Sequence, residues 1–156
     1  MEEKLLVSGW VTAELFEGDD LVGVWETHNF VTDVGLKHIA EEMGQQAATN
    51  MGWIAVGTGT GQTRASIILA TDIHHEALEA GYPDVTASPA DNVVVYKAII
   101  AAGDATDVLT EGGVFNNASV DTGDMLNYWN FSPPIDKSST QALTITLSLT
   151  IGSLSS

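Results

Sequence analysis

The 156-residue chain carries 21 acidic and five basic residues, which gives a formal net charge of -16. A surface this negative repels phosphate backbones, so nucleic acid is not an expected partner. The absence of cysteine excludes disulfides and thiolate metal sites. With 44% hydrophobic residues and four tryptophans, residues 1–156 are expected to form a single domain with a packed core.

The N-terminal segment predicts a soluble protein that is synthesised in the cytoplasm. It reads Met1-Glu-Glu-Lys-Leu-Leu-Val and lacks the basic start and the apolar core of a signal peptide. No apolar run approaches the length that spans a bilayer, so we expect no membrane partner.

The first predicted element is a β-hairpin. Lys4 to Phe16 is rich in β-branched and aromatic residues, and Leu21 to Val31 resumes the same pattern after a Gly-Asp-Asp turn signal. Trp10 and Trp25 are placed to face each other across the pair, subject to the register that the turn sets.

One short helix is predicted at about residues 33–43. Thr32 or Asp33 is the expected N-cap, and Gly44 is the expected C-cap. Five apolar side chains fall roughly on one helical face and are expected to be buried: Val34, Leu36, Ile39, Ala40 and Met43.

The middle of the chain gives a mixed signal. Residues 51–56 predict a short buried strand, and residues 57–63 predict a flexible glycine-rich loop. Residues 64–81 suit neither period, so a short helix and an extended segment stay open. Tyr82 to Asp91 contains Pro83 and Pro89 and predicts a loop, whereas Asn92 to Ala102 predicts a central strand.

The C-terminal quarter, from Asp107 to Gly152, predicts three strands separated by turns. Asn116-Asn117 and Asp121-Thr-Gly-Asp124 can supply positive-φ positions. In the last run, odd-numbered apolar residues from Leu143 to Ile151 alternate with Thr and Ser, as in a half-buried strand. The tally of about seven strands predicts a mainly β protein, an antiparallel jelly-roll-like or immunoglobulin-like sandwich with a polar tail at 153–156.

Two motifs resemble ligand sites but fit them poorly. Gly57-Thr-Gly-Thr-Gly61 lacks the following helix of a dinucleotide loop and the lysine of a P-loop, which favours a mobile loop at a strand end. His74-His75-Glu76 suggests a metal site, but neighbouring histidines diverge on a strand or a helix. His28 and His38 have no evident partner. We therefore predict no cofactor and no resident metal.

The sequence gives no specific argument for catalysis. Asp19-Asp20, Glu41-Glu42 and Asp121 with Asp124 are carboxylate clusters, and such acids in turns are usually solvated, although the last pair suits a weak calcium site. No nucleophile-elbow motif occurs. The prediction is a non-enzymatic protein that acts through surface contacts.

The candidate partner interface is an aromatic and proline segment that contains Trp129, Phe131, Pro133, Pro134 and Ile135. The alternative, which the pattern favours for Trp129 and Phe131, is that the two aromatic residues belong to the core. The first and last predicted strands are further candidates, as sheet edges for pairing between copies.

Four segments, in order, resemble a family of small tailed-bacteriophage virion proteins. They begin at Asn29-Phe-Val-Thr-Asp, Ile54-Ala-Val-Gly-Thr-Gly-Thr, Thr110-Glu-Gly-Gly-Val-Phe and Ile135-Asp-Lys, the last of which runs on through Leu143-Thr-Ile-Thr. Gly112 stands where the family often has alanine, Leu147 stands where it often has tryptophan, and residues 67–91 match poorly.

The resemblance implies a structural role on the virion without catalytic residues. Such proteins are similar to capsid decoration (cement) proteins and to tail-fibre modules. The expected protein is a homotrimer on the capsid exterior that binds between major capsid protein subunits; the alternative is a tail-fibre or tail-tip module that contacts a host glycan.

Overall fold

A computed structural model of the chain describes residues 4–86 and 92–154, with side chains described up to residue 152. The predicted loop position of Pro89, the last two residues of the predicted polar tail and the first three residues lie outside the described residues, whereas Ser153 and Leu154 of that tail belong to the last strand. The helix and strands in chain order are β1 (Lys4–Glu17), β2 (Asp20–Val31), α1 (Asp33–Met43), β3 (Trp53–Gly57), β4 (Asp72–Ala77), β5 (Val93–Ile100), β6 (Val108–Phe115), β7 (Met125–Asp136) and β8 (Gln141–Leu154).

The eight strands form one antiparallel, nearly closed sheet in the order β4-β3-β6-β7-β2-β1-β8-β5. Its two end strands approach each other: the Glu79 amide donates to the Lys97 carbonyl at 2.8 Å, and Asp84 forms a bridge with Val95. The mainly β class with one short helix is confirmed. The predicted count of seven was one too low because the ambiguous segment 64–81 contains β4, so its extended alternative was correct.

The core lies between two halves of this sheet. Strands β2 and β7 join the halves through only two residue pairs, Phe30 with Tyr128 and Val31 with Asn127. Beyond these pairs the two strands separate, and both halves turn apolar side chains toward a shared cluster. That cluster includes Val11, Ala13, Leu15, Ile54, Val56, Trp129, Leu143, Ile145, Leu147 and Leu149. The strict alternation of β8 is therefore confirmed as a buried face.

The hairpin of β1 and β2 is confirmed, but its predicted tryptophan pair is wrong. Trp10 faces His28, and Trp25 faces Ala13. The two tryptophans thus lie on opposite faces of the ribbon, since adjacent positions along a strand alternate. The predicted central position of β5 is also wrong, because β5 ends the sheet beside β8.

Helix α1 begins and ends where the sequence predicts. The Thr32 hydroxyl is the N-cap and accepts the Gly35 amide at 3.0 Å, and Gly44 is the C-cap. The Thr32 hydroxyl also donates to the Met125 carbonyl, and the Thr32 amide donates to the Leu126 carbonyl at 3.1 Å. One threonine therefore both starts the helix and fastens it to β7.

The predicted apolar face of α1 is buried only in part. Val34 and Ile39 are half-buried, and Ile39 packs against the core. Leu36 and Met43 are exposed, at 43% and 74%, and Ala40 is exposed as well. Gly35 is the buried position of the helix because its Cα rests directly against the backbone of β7 at Leu126. The helix therefore contacts β7 through the backbone at Gly35, and not through the interdigitated side chains that the pattern predicts.

Gly35→Ala tests this close approach. An alanine Cβ would overlap the Leu126 carbonyl, so we expect the free energy of unfolding to fall by about 1–3 kcal/mol, although alanine favours helix by about 1 kcal/mol. Urea denaturation measures the change. Gly152→Ala is the matched control, because no atom of the described residues lies within 4 Å of the position that its methyl group would take. Equal stability of both variants would contradict the packing argument.

Candidate functional site

The predicted interface segment lies on β7 and is largely buried. Trp129, Phe131 and Ile135 belong to the core, with exposures of 1%, 4% and 0%, in agreement with the alternative that the aromatic residues are core. Pro133 and Pro134 are exposed, where β7 bulges away from β6. The structure therefore offers these two prolines, but not the three buried side chains, to a partner.

The two strands predicted to present free edges lie mostly inside the sheet. β8 is flanked by β1 and β5, and β1 is flanked by β2 and β8, although residues 4–8 of β1 pair with β8 alone and so keep one open side. A longer open edge belongs to β2: within the described residues, Asp20–Asn29 pairs with β1 on one side and with no strand on the other. The adjacent part of β7 carries Pro133 and Pro134, which lack the amides that extend a sheet.

The open β2 edge is unusually apolar. Leu21, Val22 and Val24 are 50%, 53% and 52% exposed, and Trp10 is exposed further along the same hairpin. Isolated exposed apolar side chains are common, but a group of them along an unpaired strand is a characteristic of a contact surface. We call Leu21, Val22 and Val24 with the unpaired backbone of residues 20–29 the β2 edge.

A buried carboxylate joins the two glycine-containing motifs. Glu111 of β6 is fully buried and accepts four hydrogen bonds, from the amides of Gly59 (3.1 Å), Ala70 (3.0 Å) and Thr71 (2.7 Å) and from the Tyr128 hydroxyl (2.8 Å). Burial and the bond to Glu111 raise the pKa of Tyr128, which stays a neutral donor. Four donors compensate the carboxylate for the water that it loses on burial.

The glycines of the 57–61 loop make this arrangement possible. A Cβ at Gly57 would overlap the Thr71 carbonyl, and one at Gly59 would lie 2.6 Å from the Ala70 methyl. The Thr110 hydroxyl donates to the Gly59 carbonyl at 2.7 Å. The loop predicted to be mobile is therefore hydrogen-bonded to β6 through both the amide and the carbonyl of Gly59. Its glycines make room for the Glu111 carboxylate, and not for the phosphate that the motif suggested.

His75 forms a second buried polar group. Its Nε2 lies 2.6 Å from the Asp72 carboxylate and its Nδ1 lies 2.7 Å from the Asn117 carbonyl, while the Asp121 amide donates to the same Asp72 oxygen at 3.0 Å. Both ring nitrogens thus face acceptors, as suits an imidazolium. Burial by itself lowers the pKa of His75, but the bonds to Asp72 and Asn117 and the charges of Asp72 and Asp121 raise it overall.

A third buried group is the ammonium of Lys137, which follows β7. Its Nζ donates to the Asp104 carbonyl at 2.6 Å and to the Ala101 carbonyl at 3.1 Å. Burial lowers the pKa of Lys137, and the negative charge of Asp104 opposes that shift. The residue fixes the loop between β5 and β6 near the end of the sheet.

His74 and His75 diverge, as predicted from their adjacency. His74 points to the other face of β4, where its Nε2 lies 2.7 Å from the Glu76 carboxylate. Asp104 lies nearby, and the ligand atoms of these three residues are all within 4.8 Å of one another. The sequence singled out His74 and Glu76 as part of a possible metal motif, but it gave no signal for Asp104, which is distant in the chain and is placed there only by sheet closure. Asp121 and Asp124 belong to no such group of three among the described residues.

One cavity has a volume of about 420 Å³ and lies between α1, β5 and the loop before β5. Its lining is His38, Glu42, Asn50, Met51, Gly52, Tyr82, Pro83 and Tyr96. Burial and the charge of Glu42 raise the pKa of Tyr96 to about 12. The lining contains one carboxylate, whereas glycoside hydrolysis needs two that face each other.

Comparison with known proteins identifies no relative. No family model, no curated protein and no solved structure matches the chain. Within the described residues, no helix is both long and apolar enough to cross a membrane.

Glu111→Gln tests the buried carboxylate. The amide nitrogen of glutamine would face donors and leave at least one of them unpaired, so we expect the free energy of unfolding to fall by about 2–3 kcal/mol. Urea denaturation measures it, with the exposed Glu26→Gln as control. A loss no larger than that of the control would show that the four bonds contribute little.

His75 predicts a pH-dependent stability. Its folded pKa is raised, so its stabilising contribution is fully present below the unfolded pKa of about 6.5 and is lost as pH rises through the folded value. We expect the free energy of unfolding to decrease across that window, measured by urea denaturation in buffers that contain a chelator. His75→Gln should remove this slope, whereas the exposed His28→Gln should keep it.

Proposed function

We propose that this protein is a non-enzymatic structural component of a tailed-bacteriophage virion, specifically a head decoration protein. It binds on the capsid exterior between subunits of the major capsid protein and also contacts copies of itself in a homotrimer. The β2 edge is the observation that carries the proposal. An apolar, unpaired strand of this length makes an isolated protein prone to aggregate. Burial of the strand in an assembly removes that risk and so explains why the strand is apolar.

The resemblance of the ordered segments supports the phage assignment. Two of these segments, Gly57–Thr60 and the one that contains Glu111, contact each other through the buried carboxylate. Gly112 departs from the family, which often has alanine there, and a Cβ at this position would be 2.5 Å from the Trp129 ring. We also propose that the two halves of the sheet act as the layers of a sandwich of the jelly-roll or immunoglobulin type, which the shared core supports.

Burial of apolar surface between capsomers is the means by which such a protein stabilises the shell. A subunit that buries apolar surface against two neighbouring capsomers must lose that contact before they separate, which raises the barrier to rupture. The net charge of -16 favours a basic patch on the capsid as the contact site. The mechanism requires no cofactor and no catalytic residue.

The alternative is a tail-fibre or tail-tip module that contacts a host glycan. Trp10 is 40% exposed, and its ring meets the His28 ring edge to face with 4.6 Å between the ring centroids, so part of an aromatic side chain is available for contact with a sugar. Trp129, which belongs to the predicted partner interface, is buried. Trp10 is therefore the residue through which the alternative is tested.

Co-sedimentation with expanded capsids that lack the protein tests the proposal, with isolated tails and host cells as parallel samples. We expect saturable binding to heads. Val22→Lys with Val24→Lys places charges on the β2 edge and should weaken binding by more than about tenfold and shift the trimer toward monomer, as measured by light scattering. Val108→Lys with Val120→Lys is the matched control on other exposed valines.

Two outcomes would count against this account. Binding only to tails or to host cells, with loss on Trp10→Ala, would contradict decoration and establish the alternative. Equal binding of the β2-edge and control variants to heads would leave decoration intact but exclude the β2 edge as its surface.

A further inference from the structure

We propose that His74, Glu76 and Asp104 form a site for one divalent transition-metal ion of the Zn²⁺ type, which links the two ends of the sheet. The proposal is independent of the proposed function. It concerns residues at the ends of the sheet order, away from the β2 edge, and its test uses the isolated protein.

The geometry brings three ligand atoms together from two elements. His74 and Glu76 are two residues apart on β4, so both side chains lie on one face of the strand, the face of their partners Val56 and Ile54. Asp104 comes from the loop after β5. With all three ligand atoms within 4.8 Å of one another, a small rearrangement reaches the separation of about 3.3 Å that tetrahedral Zn²⁺ requires.

The donor set selects the class of metal. One imidazole nitrogen with two carboxylates suits Zn²⁺ and its neighbours, whereas Ca²⁺ and Mg²⁺ prefer oxygen ligands throughout. Three protein ligands leave one position for water. The Glu76 carboxylate already lies 2.7 Å from His74 Nε2. An ion bound between them would replace this contact with one bond to each of the two side chains.

The surroundings support an ion that enters from solvent. The side chains of His74 and Glu76 are 24% and 28% exposed, which shields them partly while leaving a path, and Asp104 is exposed. Lys137 binds the Asp104 and Ala101 carbonyls and so fixes the loop backbone. Its positive charge opposes cation binding, but the two carboxylates of the site outweigh it, and the chain as a whole is strongly negative.

The position of the site predicts a mechanical effect. β4 and β5 are the two ends of the sheet, joined between themselves by few backbone bonds. An ion held by β4 and by the loop that leaves β5 adds a link across this seam. Because it binds the folded chain and the site is dismantled on unfolding, it stabilises the closed sheet.

Calorimetric titration of Zn²⁺ into metal-free protein tests the site. We expect one ion per chain, and a rise in the thermal midpoint of unfolding when Zn²⁺ is present in excess. His74→Ala and Asp104→Asn should each weaken binding by more than about tenfold and abolish the midpoint shift. His28→Ala and Asp107→Asn are the matched controls, and circular dichroism verifies that all variants fold.

Three results would overturn the proposal. They are no binding to the wild type up to millimolar Zn²⁺, unchanged affinity in His74→Ala, and a loss of binding in the His28→Ala control instead. Unchanged affinity in Asp104→Asn alone would restrict the ion to β4 and so refute the link across the sheet ends. Displacement of Zn²⁺ by equimolar Ca²⁺ would contradict the assigned metal class.

Discussion

Much of the structure depends on the buried Glu111 carboxylate, which accepts four hydrogen bonds. It fixes the loop after β3 and the segment before β4 against β6, and so sets where β4 enters the sheet. A buried carboxylate is tolerated there because amide and hydroxyl dipoles replace water. Glycines at 57 and 59 are required because any side chain would displace the carboxylate or the Thr71 backbone.

The other buried ionisable groups act in the same way. His75 and Asp72 hold the Asn117–Asp121 loop, and Lys137 holds the loop between β5 and β6. Each is a charged side chain on or beside a strand that binds backbone groups of an adjacent loop. Loops that carry so many glycines and small residues bury little apolar surface of their own, so these polar contacts supply the order that packing does not.

Some edges of the sheet are protected against pairing with a further strand, and others are not. β7 carries two prolines where it leaves β2, and the two end strands meet each other, so these edges are poor templates for pairing. The β2 edge has no such protection and exposes three large aliphatic side chains. In a chain with 21 acidic and five basic residues, electrostatic repulsion between copies limits aggregation through this edge, which suits the burial in an assembly proposed above.

Local signals in the sequence were enough to specify the mainly β class, the first hairpin, the bounds and caps of α1, the positive φ of Asp121 and Gly123, and the buried face of β8. These features depend on periodicity and turn chemistry within a few residues. Long-range packing set the strand order, the pairing of Trp10 with His28, the contact of Gly35 with Leu126, the purpose of Glu111 and the group formed by His74, Glu76 and Asp104. Nearly all of these join residues far apart in the chain, and no local pattern encodes which distant strand becomes a neighbour.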